Sequence, residues 1–378
     1  MWCYDRPTAP DDDLSDPMTT SATRTTRTTR PTRTTGTQMT SMRRRLLILV
    51  AAVLVLAGVA TGVVLHAAAR ADRANRPQAG GPAVGAGKLT LDQTKRLAFV
   101  NGAAGPHRTA VAAVPSDDPK AKRVASDLKC VRFYAAAGTG VCLQSTTGVL
   151  KQSNRALLLD ANLHTRRTFA LAGTPSRARV SPSGRLAAWT VFVSGESYSS
   201  AFFSTRTSIL DTRTMKLVPS LESFSIVKDG KPYKAADVNF WGVTFARDDD
   251  TFYATLNTAN KTYLVRGSLA QRKVTTLIEN VECPSLSPDE TRVAFKKRIL
   301  SRTDLWHEYV LDLKTLKETA LAERHSVDDQ ATWLDNHTVA YALPTQGKVG
   351  TNDLWSVPAD GTGTPRLLIP GASSPAPL

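Results

Sequence analysis

A unit of about 45 residues recurs six times in the second part of this chain, and no other feature restricts its fold as tightly. Short apolar strands appear as RLAF from Arg96, GVCL from Gly140, RLAA from Arg185, TFYA from Thr251, RVAF from Arg292 and TVAY from Thr338. Aligned on Leu97, Val141, Leu186, Phe252, Val293 and Val339, they are spaced by 44, 45, 66, 41 and 46 residues. The long interval holds a Ser/Tyr-rich insertion near Ser194 and a second over 228–234. Turn-forming residues precede each strand, as in SPSG from Ser181, SPDE from Ser287 and ARDDD from Ala246. A second strand follows, such as SILD from Ser208 or YVLD from Tyr309, and then a third, such as KVTTLIE from Lys273. Four short antiparallel strands per unit describe a propeller blade. One blade alone leaves its apolar faces in water, whereas six stacked radially bury each other. The pattern therefore predicts an all-β, six-bladed β-propeller over residues 90–378. The last segment, PGASSPAPL from Pro370, is short, so the strand that closes the ring is expected from around Leu89 to Thr94.

Ahead of the repeats lies a charge-free apolar run from Leu46 to Leu65, preceded by Arg43, Arg44 and Arg45. Twenty helical residues rise about 30 Å, the thickness of a bilayer's hydrocarbon core. A single transmembrane α-helix is expected over 46–69, and the arginines favour a cytoplasmic location for the preceding flank. The domain after it would then lie outside the cytoplasm, on a single-pass cell-membrane protein. Ala67, Ala68 and Ala69 also resemble a signal-peptidase site, although the apolar run is longer than a cleaved leader usually has. Gly58 and Gly62 have the small-xxx-small spacing of helix dimers, which a run so rich in Ala and Gly reaches by composition alone. Residues 1–45 repeat Thr and Arg without an apolar face and read as a disordered cytoplasmic tail, unless translation starts at Met39 or Met42. Residues 70–89 are rich in Ala, Gly and Pro and read as a flexible linker.

RVSPSGRLAAW, from Arg179, and LSPDETRVAF, from Leu286, resemble the WD40-like (PD40) repeat of TolB-type proteins, in which Ser-Pro-acidic-Gly precedes a Val-Ala-Phe strand. Glu290 departs from the pattern by replacing its glycine. The resemblance covers roughly residues 90 to 370 and implies a six-bladed propeller that makes protein contacts in the cell envelope without catalysis. The layout, one anchor followed by a propeller, looks like the TolB-like membrane proteins of high-GC bacteria.

The formal net charge is +15, and residues 90–378 hold 36 basic against 27 acidic side chains. No aromatic-basic stacking motif accompanies this charge, so an anionic wall polymer or an envelope protein fits better than nucleic acid. The expectation is a non-catalytic binding scaffold with no cofactor and no catalytic or metal site.

The alternative is a calcium-dependent propeller hydrolase or lactonase, whose ligands would come from Asp237, Asn239, Asp248, Asp328 and Asp329. Turn acids of this kind more often cap loops. The six histidines are scattered without zinc spacing. GESYS, from Gly195, lacks the second glycine of a nucleophile elbow, so Ser197 reads as loop surface. The Leu-Asp pairs ending at Asp160, Asp211 and Asp312 recur at one blade position and read as turn acids. Trp189, Trp241, Trp306, Trp333 and Trp355 read as packing between blades.

Cys130 and Cys142 are the expected disulfide of an extracytoplasmic domain, since Cys283 has no partner nearby in sequence. A tight turn at Gly138 and Thr139 would leave the pair about 17 Å apart along extended strands. A wider turn starting near Tyr134 would bring them level.

Overall fold

The computed structural model describes residues 37–147, 152–195, 203–300, 304–347 and 350–378. The N-terminal tail up to residue 36 lies outside the described residues, as do Ser197 and Ser199. One helix runs from Thr37 to Asn75, and within it Met42–Arg70 is long and apolar enough to cross a membrane. This helix extends past the expected 46–69 at both ends, taking in Arg43–Arg45 and residues 70–75. It stops just before Pro77, which has no N–H to continue it.

The β-domain is a six-bladed propeller. Blade 2 consists of Arg132–Ala136, Thr139–Thr147, Gln152–Leu159 and Thr165–Leu171. Blade 3 is Thr174–Val180, Leu186–Ser194, Ser204–Asp211 and Leu217–Val218. Blade 4 contains Asn239–Phe245, Thr251–Thr258, Lys261–Ser268 and Lys273–Glu279; blade 5 contains Glu282–Leu286, Arg292–Arg298, Trp306–Asp312 and Glu318–Ala320. Blade 6 contains Thr332–Trp333, Thr338–Pro344, Asn352–Pro358 and Arg366–Ile369. The first strands touch their neighbours around the ring, so they line the central channel.

Blade 1 differs from the expectation. Its innermost strand is the C-terminal segment Ala372–Pro377, antiparallel to Arg96–Asn101, and Leu89–Thr94 supplies no strand. An innermost strand has a free edge on the channel, where the missing N–H groups of Pro375 and Pro377 are tolerated. Leu89 and Leu91 are buried against Ala376 instead. The buried Arg123 fastens the start of the closing strand, donating to Asn101 Oδ1 (2.7 Å), to Gly371 O (3.0 Å) and to Pro370 O. The expected linker over 70–89 is corrected too: residues up to Asn75 are helical, and Val84–Ala86 adds a parallel outer strand to Arg123–Lys129. The 228–234 insertion forms a hairpin, Ser225–Lys228 with Lys231–Tyr233, that extends the outer edge of blade 4.

Among the described residues, six apolar clusters lie one at each blade boundary, and a seventh, Phe192, Trp241, Cys283 and Trp306, joins blades 3 to 5. In Arg96–Asn101, Leu97 and Phe99 face blade 6 while Ala98 and Val100 face blade 2. Successive strand residues point to opposite faces, so a strand packed on both sides reads as an unbroken apolar run. The same bookkeeping moves two alignment points by one residue. Cys142 and Ala187 face the preceding blade as Leu97 and Val293 do, while Val141 and Leu186 face the next. The turn before the second strand needs a left-handed residue, filled by Gly184 (φ 75°), Asp249 (55°) and Glu290 (61°) in blades 3, 4 and 5. Turn acids behave as expected, Asp211 Oδ1 accepting from the N–H of Arg213 and Thr214, and Asp312 Oδ1 from those of Lys314 and Thr315. Trp189, Trp241, Trp306 and Trp333 are buried, and Trp355 is partly so.

A disulfide joins Cys130 and Cys142, with Cα atoms 5.5 Å apart. The turn is nevertheless the tight one: Ala137 and Gly138 both have positive φ, and Cys142 stands opposite Phe133. Cys130 reaches its partner because the chain bends between Lys129 and Arg132 instead of continuing extended.

Two outcomes follow from closure and cross-linking. A chain truncated after Pro370 should lose its cooperative melting transition by circular dichroism; an unchanged midpoint would contradict closure by the C-terminal strand. Replacing both Cys130 and Cys142 by alanine should cost about 3 kcal/mol on the chain-entropy scale for so short a loop, read as a lower urea midpoint.

Candidate functional site

Each blade has two ends. At the end called upper here, the outermost strand of one blade passes to the innermost strand of the next, and second strands turn into third strands. The upper end of blades 3 to 5 holds an open groove of about 840 Å³. Its floor is the fully buried Trp241, with Phe203 edge-on at 5.4 Å between ring centroids. Asn257, Asn260 and Asn280 line its walls, together with Lys261, Glu279, Glu282 and Arg298. Both bases of the groove have an acidic partner, Lys261 Nζ lying 3.1 Å from Glu279 and Arg298 Nε 3.6 Å from Glu282, and Glu222 and Asp237 in the same lining leave acids in excess.

Deeper in, charged side chains replace the apolar residues that strand periodicity calls for. Lys296, on the second strand of blade 5, is fully buried. Its ammonium sits 2.5 Å from Asp328 Oδ1, 3.7 Å from Glu282 Oε2 and 4.0 Å from the centroid of a Trp306 ring. Arg177, on the innermost strand of blade 3, also reaches Asp328 Oδ1 at 3.3 Å. The Asp328 side chain is 40% exposed; partial desolvation would raise its carboxyl, but Lys296 and Arg177 together hold it down at about 2. Trp306 Nε1 donates to Glu282 Oε1 at 3.0 Å. A further buried carboxylate, Glu323, accepts from Tyr341 Oη (2.6 Å) and from the N–H groups of Arg324 and His325, and His325 Nδ1 lies 2.7 Å from it. Its pKa is lowered despite burial, because these donors stabilise the ionised form.

Glu308 is the exception in this network. It is fully buried on the third strand of blade 5, and neither carboxylate oxygen has a hydrogen-bond partner. Desolvation, reinforced by Asp329 and Glu323 against the pull of Lys296, pushes its pKa up to about 8. The side chain is therefore a neutral acid near pH 7.

The five residues proposed as calcium ligands are not gathered. Asp237 accepts from Thr258 Oγ1 (2.8 Å) and the Ala259 N–H (2.6 Å), and Asn239 Oδ1 accepts from Ser204 Oγ and the Thr205 N–H. Asp248 caps the turn at the opposite end of blade 4, and Asp328 is bound to Lys296 and Arg177. Asp329 Oδ2 accepts from the Ala342 N–H. Among the described residues, no group of three His, Cys, Asp or Glu side chains could hold a metal ion. Sequence reading missed Arg177, Glu282, Lys296, Glu308 and Glu323. The available signal was a charge at an inward position of an apolar strand, as in RVAFKKR from Arg292.

The Glu308 pKa carries a stability consequence of definite sign. A raised carboxyl pKa means that the folded state keeps a proton the unfolded chain releases above about pH 4.5. Stability from this group is thus full at low pH and is lost progressively up to about pH 8. Glu308→Gln should melt higher than the parent at pH 8 to 9, with the gap shrinking toward pH 5.

No family model matches the sequence, and no curated protein matches it. The fold does have solved counterparts. TolB from Acinetobacter baumannii aligns with a TM-score of 0.50 at 14% identity, covering 75% of this chain and 67% of that one. The β-propeller domain of the Trilobed protease from Pyrococcus furiosus aligns at 14% identity over 61% of this chain and 69% of its own, with a TM-score of 0.36. Oligogalacturonate lyase from Vibrio parahaemolyticus gives 9% identity, coverage of 72% and 90%, and a TM-score of 0.40. At these identities the likeness concerns the backbone and leaves activity open. In fold, the β-domain is a TolB-like six-bladed propeller.

Proposed function

We propose that this protein is a non-catalytic binding scaffold, a propeller tethered by one membrane-spanning helix and held outside the cytoplasm, whose upper face docks an envelope protein. The observation that carries this reading is the groove across blades 3 to 5. Its volume of about 840 Å³ is in the range of recognition sites. Arg43–Arg45 before the apolar helix support the orientation. Between the two partner classes, a protein is favoured over an anionic wall polymer, because Lys261 and Arg298 are already matched by Glu279 and Glu282.

A photo-cross-linking amino acid in place of Asn260, on the groove rim, should give a discrete cross-linked product in intact cells. The same residue in place of the exposed Asp360, on the turn at the opposite end of blade 6, should not. Equal labelling from both positions, or none from Asn260, would overturn the docking face. A calcium-dependent rise in melting temperature would favour the hydrolase alternative instead.

A further inference from the structure

The channel contains a cation that no carboxylate among the described residues pairs with. Arg179, on the innermost strand of blade 3, is 5% exposed. Its guanidinium donates to Ala331 O at 2.9 Å and to Thr332 Oγ1 at 3.2 Å, and lies 4.3 Å from the centroid of the Tyr134 ring. These partners are all neutral. Its Nε has no hydrogen-bond partner, and no carboxylate among the described residues lies within the 4.0 Å of an ion pair. An arginine stays ionised, so the charge is real, and burying it without a counter-charge is costly.

The surroundings deepen the imbalance. Arg179 borders a gap of about 20 Å³ in the channel, which is also lined by Arg132, Arg177, Asp329, Gln330 and Ser374. That lining carries three guanidiniums and one carboxylate. Asp329 is engaged by the Ala342 N–H at 3.1 Å, while Asp328, just outside the lining, is shared between Lys296 and Arg177. The Gln330 amide nitrogen donates to Val243 O and Pro284 O. The volume suits one water-sized body, and a chloride is larger than a water by only a few tenths of an ångström in radius.

We infer that this gap is a binding site for one halide ion, held by Arg179 at the centre of the ring. Such an anion binds the folded ring and has no site on the unfolded chain, so it stabilises the fold by mass action. The site is independent of the docking groove and stands whether or not a partner binds there.

Thermal unfolding of the full chain in detergent, in sodium chloride against sodium gluconate at equal ionic strength, tests the assignment. The midpoint should rise saturably with chloride, and Arg179→Met, which keeps the length and removes the charge, should abolish the difference. Equal midpoints for the parent in both salts, or a chloride effect that persists in Arg179→Met, would overturn it. Should the variant fail to fold, crystals of the parent protein grown in sodium bromide decide: an anomalous peak beside the Arg179 guanidinium is expected, and its absence refutes the site.

Discussion

Everything in the β-domain depends on the ring being closed. Each blade buries both of its faces, and it does so only because a neighbour stands on either side. The six apolar clusters are six such boundaries, and the one between blades 6 and 1 is shared by the two ends of the domain, with Leu354 and Ile369 against Leu97 and Phe99. The antiparallel pairing of Ala372–Pro377 with Arg96–Asn101 makes that boundary permanent. Arg123 reinforces it by binding two carbonyls of the segment leading into the closing strand and stacking 5.4 Å from the Phe99 centroid. Burial pulls the Arg123 pKa down to about 10, against the raising effect of Asp353, which still leaves it charged at neutral pH.

The sequence was most legible where period-two apolar patterning was strong. Six units, their second strands and the turn acids could all be read, because Val-Ala-Phe runs flanked by Ser-Pro and Leu-Asp turns have few other uses. The alignment slipped by one residue at Val141 and Leu186, where Gly140, Ala187 and Ala188 flatten the contrast between the two faces. The closing strand was hidden for a different reason: ASSPAP has two prolines and no bulky side chain, and its pairing partner lies nearly the whole domain away in sequence. Val84–Ala86 sits in a Gly-rich stretch and joins its neighbour by parallel pairing, which leaves no hairpin signature. The disulfide partners were identifiable from spacing, while the bend at Val131 that unites them was not.

The charged interior was the least legible part, and the reason is geometric. Arg177, Asp328 and Lys296 come from blade 3, the crossing into blade 6, and blade 5, so no window of sequence shows them together. Their value to the fold is modest, since buried ion pairs roughly balance desolvation against attraction. Their effect on shape is larger. Every channel charge fixed to a specific partner restricts the rotamers of its neighbours, and the innermost strands become a rigid hub under the groove. Docking onto such a hub would cost little ordering entropy, which is in keeping with the role proposed above.

Closure by the C-terminal strand also sets an order of events in time. A chain made from its N-terminus exposes the outer strands of blade 1 first and the innermost strand of that blade last. Leu97 waits for Pro377 while the rest of the domain is synthesised. The entropy of closing so long a loop grows only as the logarithm of its length, so the finished ring is not weakened by the delay. The delay is kinetic: until the last strand is made, the unpaired edge of Arg96–Asn101 is a template for any passing strand, and the cell must either shield it or finish quickly.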